Sequence, residues 1–165
     1  MNTPDTDGSP ERRGFAGAVY GSLLAASVVA GTAVDGTPIS AGSLVVVLLC
    51  TGVVFWLAHV YALVVSDDTH ALTWDRLRTA GREDWPVAQA SFPPAVGAAF
   101  ASTLGLSDMV ATWVALAIAV ASQVAWAVAA AVTAHSSTRF VIVSGVANLV
   151  LGLAIVVLKT QVARH

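Results

Sequence analysis

Charge is what this sequence lacks. Only 11% of its 165 residues are Asp, Glu, Lys or Arg, against roughly a quarter in soluble domains. The deficit is uneven. Long stretches carry no charge at all, and the charges gather in the joints between them, as expected of a chain that crosses a bilayer several times. No basic stripe exists to hold phosphates and the net charge is −2, so nucleic acid is not expected as a partner. Cysteine is nearly absent as well. Cys50 is the one thiol, so no disulfide can form within the chain, and no cysteine stands beside it for a metal site. The length suits one small helical bundle without a separate soluble domain.

What is abundant is apolar. Hydrophobic residues make up 56% of the chain and fall into five runs. They predict an all-α membrane protein, with five transmembrane helices in one bundle and spans near 14–34, 41–65, 87–106, 109–134 and 140–158. The second run, Ala41 to Val65, holds no charged residue and is long enough to cross a bilayer alone. Residues 1–13 read as a disordered cytoplasmic tail, residues 14–159 as the single transmembrane domain, and residues 160–165 as a short outer tail. Arg12-Arg13-Gly14-Phe15 looks like a twin-arginine export signal, with Gly31-Thr32-Ala33 as its cleavage site. Signal cores run only about 7–15 residues, however, and the chain beyond Ala33 is more membrane, not an exported domain. An uncleaved first span is therefore expected. No internal repeat is visible.

The joints differ in character. Asp35 to Ser40 is a tight turn punctuated by Gly36 and Pro38. Ser66 to Pro86 is the longest joint. Wound as a helix, it puts Trp74, Leu77, Gly81 and Trp85 on one face and Asp75, Arg76, Thr79, Arg82 and Glu83 on the other. That is the pattern of a short interfacial amphipathic helix between spans 2 and 3, its tryptophans in the headgroup layer. The third span is interrupted by Pro93-Pro94, which lack the N–H groups that the carbonyls of Gln89 and Ala90 would use. It is expected to be a kinked crossing, with a re-entrant element as the alternative. Asp108 is suited to cap the fourth span.

Orientation follows from the basic residues. With the N-terminus cytoplasmic and the C-terminus outside, the inner segments hold Arg12, Arg13, Arg76, Arg78, Arg82 and Arg139. The outer ones hold only Lys159 and Arg164. Lipid gives helices no hydrophobic reason to associate, so small residues and scarce polar contacts must hold them together. Stripes of small residues supply the first: Gly17, Gly21 and Ala25; Gly97, Ala101 and Gly105; alanines from Ala111 to Ala131 around Gln123; Ser144 and Gly152 around Asn148. They suit packing within the chain, and equally a homo-oligomer.

The polar residues inside the spans are the candidates for function. Tyr20, His59, Gln123 and Asn148 each need a partner in hydrocarbon and so should face the bundle interior, as a cluster in its inner half. Tyr61, about 200° around the helix from His59, fits an interfacial position instead. His59 has two readings. In one, its imidazole donates to Asn148, Gln123 or a carbonyl freed by the prolines, contributing ~0.6 kcal/mol as interhelical hydrogen bonds in membranes average. In the other, it relays protons or gates a small polar path. No carboxylate falls within any span to support a proton pump. Asp67, Asp68 and His70 lie near one another in the long joint, and His135 falls on the same side. No helical HxxxH or ExxH spacing accompanies them, so no metal site and no cofactor is expected. A nucleophile–base pair, a phosphate-cradling glycine loop and a paired-carboxylate site are likewise lacking, which argues against an enzyme.

Three stretches carry a resemblance: Phe55-Trp56-Leu57-Ala58-His59-Val60-Tyr61-Ala62, Glu83-Asp84-Trp85-Pro86 ahead of the Pro-Pro segment, and the ending Gly152 to Lys159. With these, the chain resembles a family of small multi-span membrane proteins from high-GC bacteria. The resemblance implies the same membrane fold and brings no activity or ligand with it. The expectation is an integral protein of the cell (inner or plasma) membrane, transporter-like or channel-like around His59. An accessory subunit of a membrane complex is the alternative, with the lipid bilayer and a membrane-protein partner as its surroundings.

Overall fold

The computed structural model describes residues 10–32, 37–66, 73–133 and 138–162. Its elements among these residues are seven helices: α1 (Pro10–Gly31), α2 (Ala41–Ser66), α3 (Trp74–Glu83), α4 (Trp85–Gln89), α5 (Phe92–Thr103), α6 (Asp108–Thr133) and α7 (Thr138–Val162). Among the described residues, three segments are long and apolar enough to cross a bilayer: Gly14–Gly31, Ala41–Val65 and Asp108–Thr133. In α7 the shorter stretch Gly145–Ile155 is apolar.

Helix α1 starts earlier than the sequence suggests. Pro10 opens it, within the stretch expected to be a disordered tail. Proline suits a first helical position, where its missing N–H is not needed.

The third apolar run divides in two, and the division precedes the prolines. Helix α4 ends at Gln89, Ala90 and Ser91 form a turn, and α5 begins at Phe92. Pro93 and Pro94 occupy the first turn of α5, where a helix has no use for their N–H groups. They start a helix more than they kink one. At the far end of α5, the Leu106 N–H donates to Ala101 O at 3.1 Å and the Gly105 N–H to Ser102 O at 3.0 Å. Gly105 takes φ +71°, so these bonds form a glycine-terminated helix end. Gly105 therefore serves the turn and not the packing stripe expected of it.

The contacts fix the order of ends. Asp108, at the start of α6, accepts a hydrogen bond at 2.8 Å from the Ala41 N–H at the start of α2. Trp56 and His59, toward the other end of α2, meet Gly81 and Asp84. The α4–α5 segment thus runs back along α2 from one end of the bundle to the other. Helix α7 runs antiparallel to α6, since Gly152 faces Val120, Asn148 meets Gln123 and Gly145 faces Val128. Helix α1 also opposes α6, with the Phe15 and Trp126 rings 6.0 Å apart. One end therefore gathers the start of α1, the end of α2, α3, the end of α6 and the start of α7.

Between α1, α2, α5 and α6 lies a hydrophobic core of Ala26, Val29, Leu44, Leu48, Ala98 and Leu116 with their neighbours. Alanine dominates it, so backbones rather than large side chains set the spacing. Exposed valine and leucine remain on the outer faces of α2 and α7, and exposed Phe92, Val96 and Phe100 on that of α5.

Candidate functional site at the α3–α4 corner

Helix α3 presents Asp75, Arg76, Arg78 and Arg82 outward. Its amphipathic pattern is realised as a helix, with one change. Trp85 belongs to α4, because Asp84 stands between the two helices and ends both. The Asp84 N–H donates to Ala80 O and its carbonyl accepts from the Val87 N–H, each at 3.0 Å. The chain therefore turns a corner at this residue.

The side chain of Asp84 makes no cap to α4. It turns toward α2, where its Oδ1 lies 3.8 Å from Nε2 of His59. Asp84 is only 5% exposed, whereas the His59 side chain is 44% exposed. A buried carboxylate faces an imidazole that still meets the surroundings. The Tyr20 ring of α1 lies 6.5 Å from the imidazole. One turn before His59 on α2, Trp56 donates its indole N–H to Gly81 O at 2.9 Å. It also meets Trp85 edge to face at 5.3 Å. Three elements thus converge on His59, and two side chains of α2 hold the corner.

Just inside the corner, α4 is gripped by glycines. Gly17 and Gly21 of α1 lie against Val87 and Ala90, and Gly52 of α2 lies against Ser91 and Ala88. A side chain at these positions would collide with the short helix, which is why small residues occur there. The small stripe on α1 therefore packs against α4 within the chain. A recess of about 10 Å³ lies at the turn, lined by Gly21, Thr51, Gly52, Phe55, Val87 and Ser91 among others. That is about the room one water molecule needs. Ser91 Oγ donates to Ala88 O at 2.7 Å.

The four polar residues expected to cluster fall into two pairs. Tyr20 joins His59, and Gln123 joins Asn148. Gln123 is fully buried, and its Nε2 donates to Asn148 Oδ1 at 3.2 Å and to Asn148 O at 3.3 Å. Gln123 Oε1 has no hydrogen-bond partner among the described residues. Among those residues His59 engages Asp84 and Tyr20 only. The helical period gives each residue its face but not the neighbour that face meets.

Asp84 is the residue that sequence reasoning missed. It sits in a joint between apolar runs, where a carboxylate is ordinarily solvated, and no carboxylate lies within a span to point to a partner for His59. A signal was present: the Asp-Trp-Pro order marks a helix start, and a helix start beside an apolar run draws its flanking residue inward. Asp108 caps a different helix from the one it begins. Ser107 Oγ accepts from the Val110 N–H at 3.4 Å, while Asp108 caps α2 across the bundle. No group of three or more His, Cys, Asp or Glu able to hold a metal occurs among the described residues. Asp67, Asp68, His70 and His135 lie outside them, as does the side chain of Lys159.

Among the described residues, fold and site define an all-helical protein with three helices long and apolar enough to cross a bilayer and a carboxylate–imidazole pair at one end. Comparison with family models, curated proteins and solved structures gives no match.

Proposed function

We propose that this chain is an integral protein of the cell membrane, built of five crossings, and that it works as a small transporter-like unit around His59. The run of α4 and α5 from the corner to the start of α6 supports a third crossing over a re-entrant hairpin. The antiparallel course of α7 along α6 supports the fifth. A cytoplasmic N-terminus and an outer C-terminus follow from the charges: Arg76, Arg78, Arg82 and Arg139 gather at the end where α1 begins. In this orientation α3 lies in the inner headgroup layer. From Ala41 to His59 the helix rises about 27 Å, close to the ~30 Å of the hydrocarbon core. His59 then stands at the inner boundary, shallower than its distance from the end of the apolar run suggests.

One observation carries the reading: a broken helix held between α1 and α2, with an ionisable pair at its start and a recess at its break. Discontinuous helices with freed backbone groups are what transporters use to line a binding site. The test is solute uptake by proteoliposomes, screened with glycerol, urea and an amino-acid mixture. Uptake that depends on the protein and falls in His59→Ala at equal incorporation supports the reading. Uptake no greater than in empty vesicles for every solute removes it.

A different observation favours a second reading, a non-catalytic accessory subunit. The alanine-lined core fills the middle of the bundle with apolar atoms among the described residues. Crosslinking in cells that recovers a membrane-protein partner or a homo-oligomer supports this reading. A monodisperse monomer in mild detergent with no crosslinked partner counts against it.

A further inference from the structure

We propose that Trp74, Arg78 and Arg82 form a ridge on α3 that binds the phosphate of an anionic phospholipid. The proposal rests on the membrane reading above in one respect only, that α3 lies in the headgroup layer.

The helical period places the three side chains along one line, each about 40° around the axis from the one before. The side of α3 that meets the protein holds Leu77, Ala80 and Gly81, all partly buried, with Gly81 against Trp56. The ridge therefore runs along a flank and is open to the surroundings. Trp74 is 76% exposed, and both arginines are exposed. Arg76 and Glu83 stand on the opposite flank, which carries no aromatic ring, and Arg76 is otherwise engaged. Tryptophan favours the layer between headgroups and hydrocarbon, so the flank with Trp74 is the one that meets lipid.

Two arginines four residues apart on a helix repel each other. Neither the Arg78 nor the Arg82 side chain has an ion-pair or hydrogen-bond partner among the described residues. Asp75, beside the ridge on the outward face, pairs with neither, and Asp84 is buried and turned toward His59. A phosphate lodged between the two guanidinium groups offsets their repulsion and accepts hydrogen bonds from both. One turn away, Trp74 lies at the level of the same lipid's glycerol. Bulk charge does not produce this site. Glu11 accompanies Arg12 and Arg13 at the start of α1, and Asp67 and Asp68 follow α2, so the segments of this end carry no excess of positive charge. What selects the anion is the placement of two unpaired arginines beside an exposed indole.

The ridge carries its own reporter. The full chain, labelled with 5-fluorotryptophan in a neutral detergent, is titrated with dioctanoyl phosphatidylglycerol and with dioctanoyl phosphatidylcholine. The Trp74 fluorine signal, identified by its loss in Trp74→Phe, gives each affinity. A basic side chain near a membrane surface strengthens anionic-lipid binding about fivefold. The wild type should therefore bind the anionic lipid roughly thirtyfold more tightly than the zwitterionic one, and high salt should weaken that binding. Arg78→Gln and Arg82→Gln should each lose about fivefold of the preference, and the double variant all of it. Arg139→Gln, at the start of α7, should leave it unchanged. Equal affinity of the wild type for the two lipids overturns the proposal without any variant. So does a preference that survives in the double variant, or one that Arg139→Gln lowers as far as Arg78→Gln does. Inorganic phosphate or a tetraglutamate peptide that moves the Trp74 signal at the same concentration assigns the ridge to a soluble anion and overturns the lipid site. No solute is transported in this experiment. A protein that fails every uptake assay but prefers the anionic lipid loses the transport reading and keeps the lipid site; the reverse result loses the lipid site alone.

Discussion

Gly21→Ala adds a single methyl group where α1 meets α4. A Cβ at this position would lie 2.5 Å from Val87 O, 2.9 Å from the Ala90 Cβ and 3.1 Å from the Val87 Cα. All three belong to the backbone or are fixed to it, so no flexible side-chain end can swing aside. Either α4 moves off α1 or the helices separate locally. Overpacking of this kind costs about 1–3 kcal/mol. Three such contacts at once place the cost toward the upper end, about 2–3 kcal/mol, and alanine returns about 1 kcal/mol of helix propensity over glycine, leaving a net loss of about 1–2 kcal/mol. Near the melting midpoint each kcal/mol moves a chain of this size by roughly 2–4 °C. Gly21→Ala is therefore expected to melt about 2–8 °C below the wild type. Gly42→Ala is the control, since nothing lies within 4 Å of its added Cβ; it should melt no lower than wild type. Both are read by intrinsic tryptophan fluorescence in one detergent at one scan rate. A Gly21→Ala midpoint equal to or above that of the wild type would refute the close packing of α4 on α1.

Three further outcomes are expected. Asp108→Ala removes the cap on the first turn of α2 and should cost about 1 kcal/mol, seen as a lower melting midpoint with faster amide exchange at Ala41. Asp108→Asn, which keeps an acceptor, should recover most of it. Gln123→Leu exchanges a fully buried amide with one unpartnered oxygen for an apolar group of similar size. Its stability should stay within ~0.6 kcal/mol of wild type, the average for a hydrogen bond between membrane helices, whereas Gln123→Ala leaves a cavity and should fall by more. Trp56→Phe removes the indole donor to Gly81 O and should cost about 1 kcal/mol at the corner, read as roughly fivefold faster amide exchange over residues 80–84. Unchanged exchange there would show that the indole does not hold α3.

The apolar runs of α1, α2 and α6 determine helices long enough for a bilayer, because an uncharged stretch of that length has few other stable environments and hydrogen-bonds its backbone internally. The amphipathic pattern from Trp74 also determines α3, since it repeats at the helical period. Both are local properties, readable one segment at a time. Partnership is not local. The sequence puts His59, Tyr20, Gln123 and Asn148 on helix faces, but only the packing of α6 against α7 pairs Gln123 with Asn148. Only the packing of α1 and α2 brings Tyr20 beside His59. Asp108 has a side chain suited to its own helix, yet the approach of α2 gives it Ala41 instead. Asp84 is the clearest case: Arg82 and Glu83 precede it in sequence, yet it becomes buried because α3 and α4 fold over α2 at that residue. Hydrophobic length is written along the chain, whereas the surroundings of a polar atom depend on which helices arrive beside it.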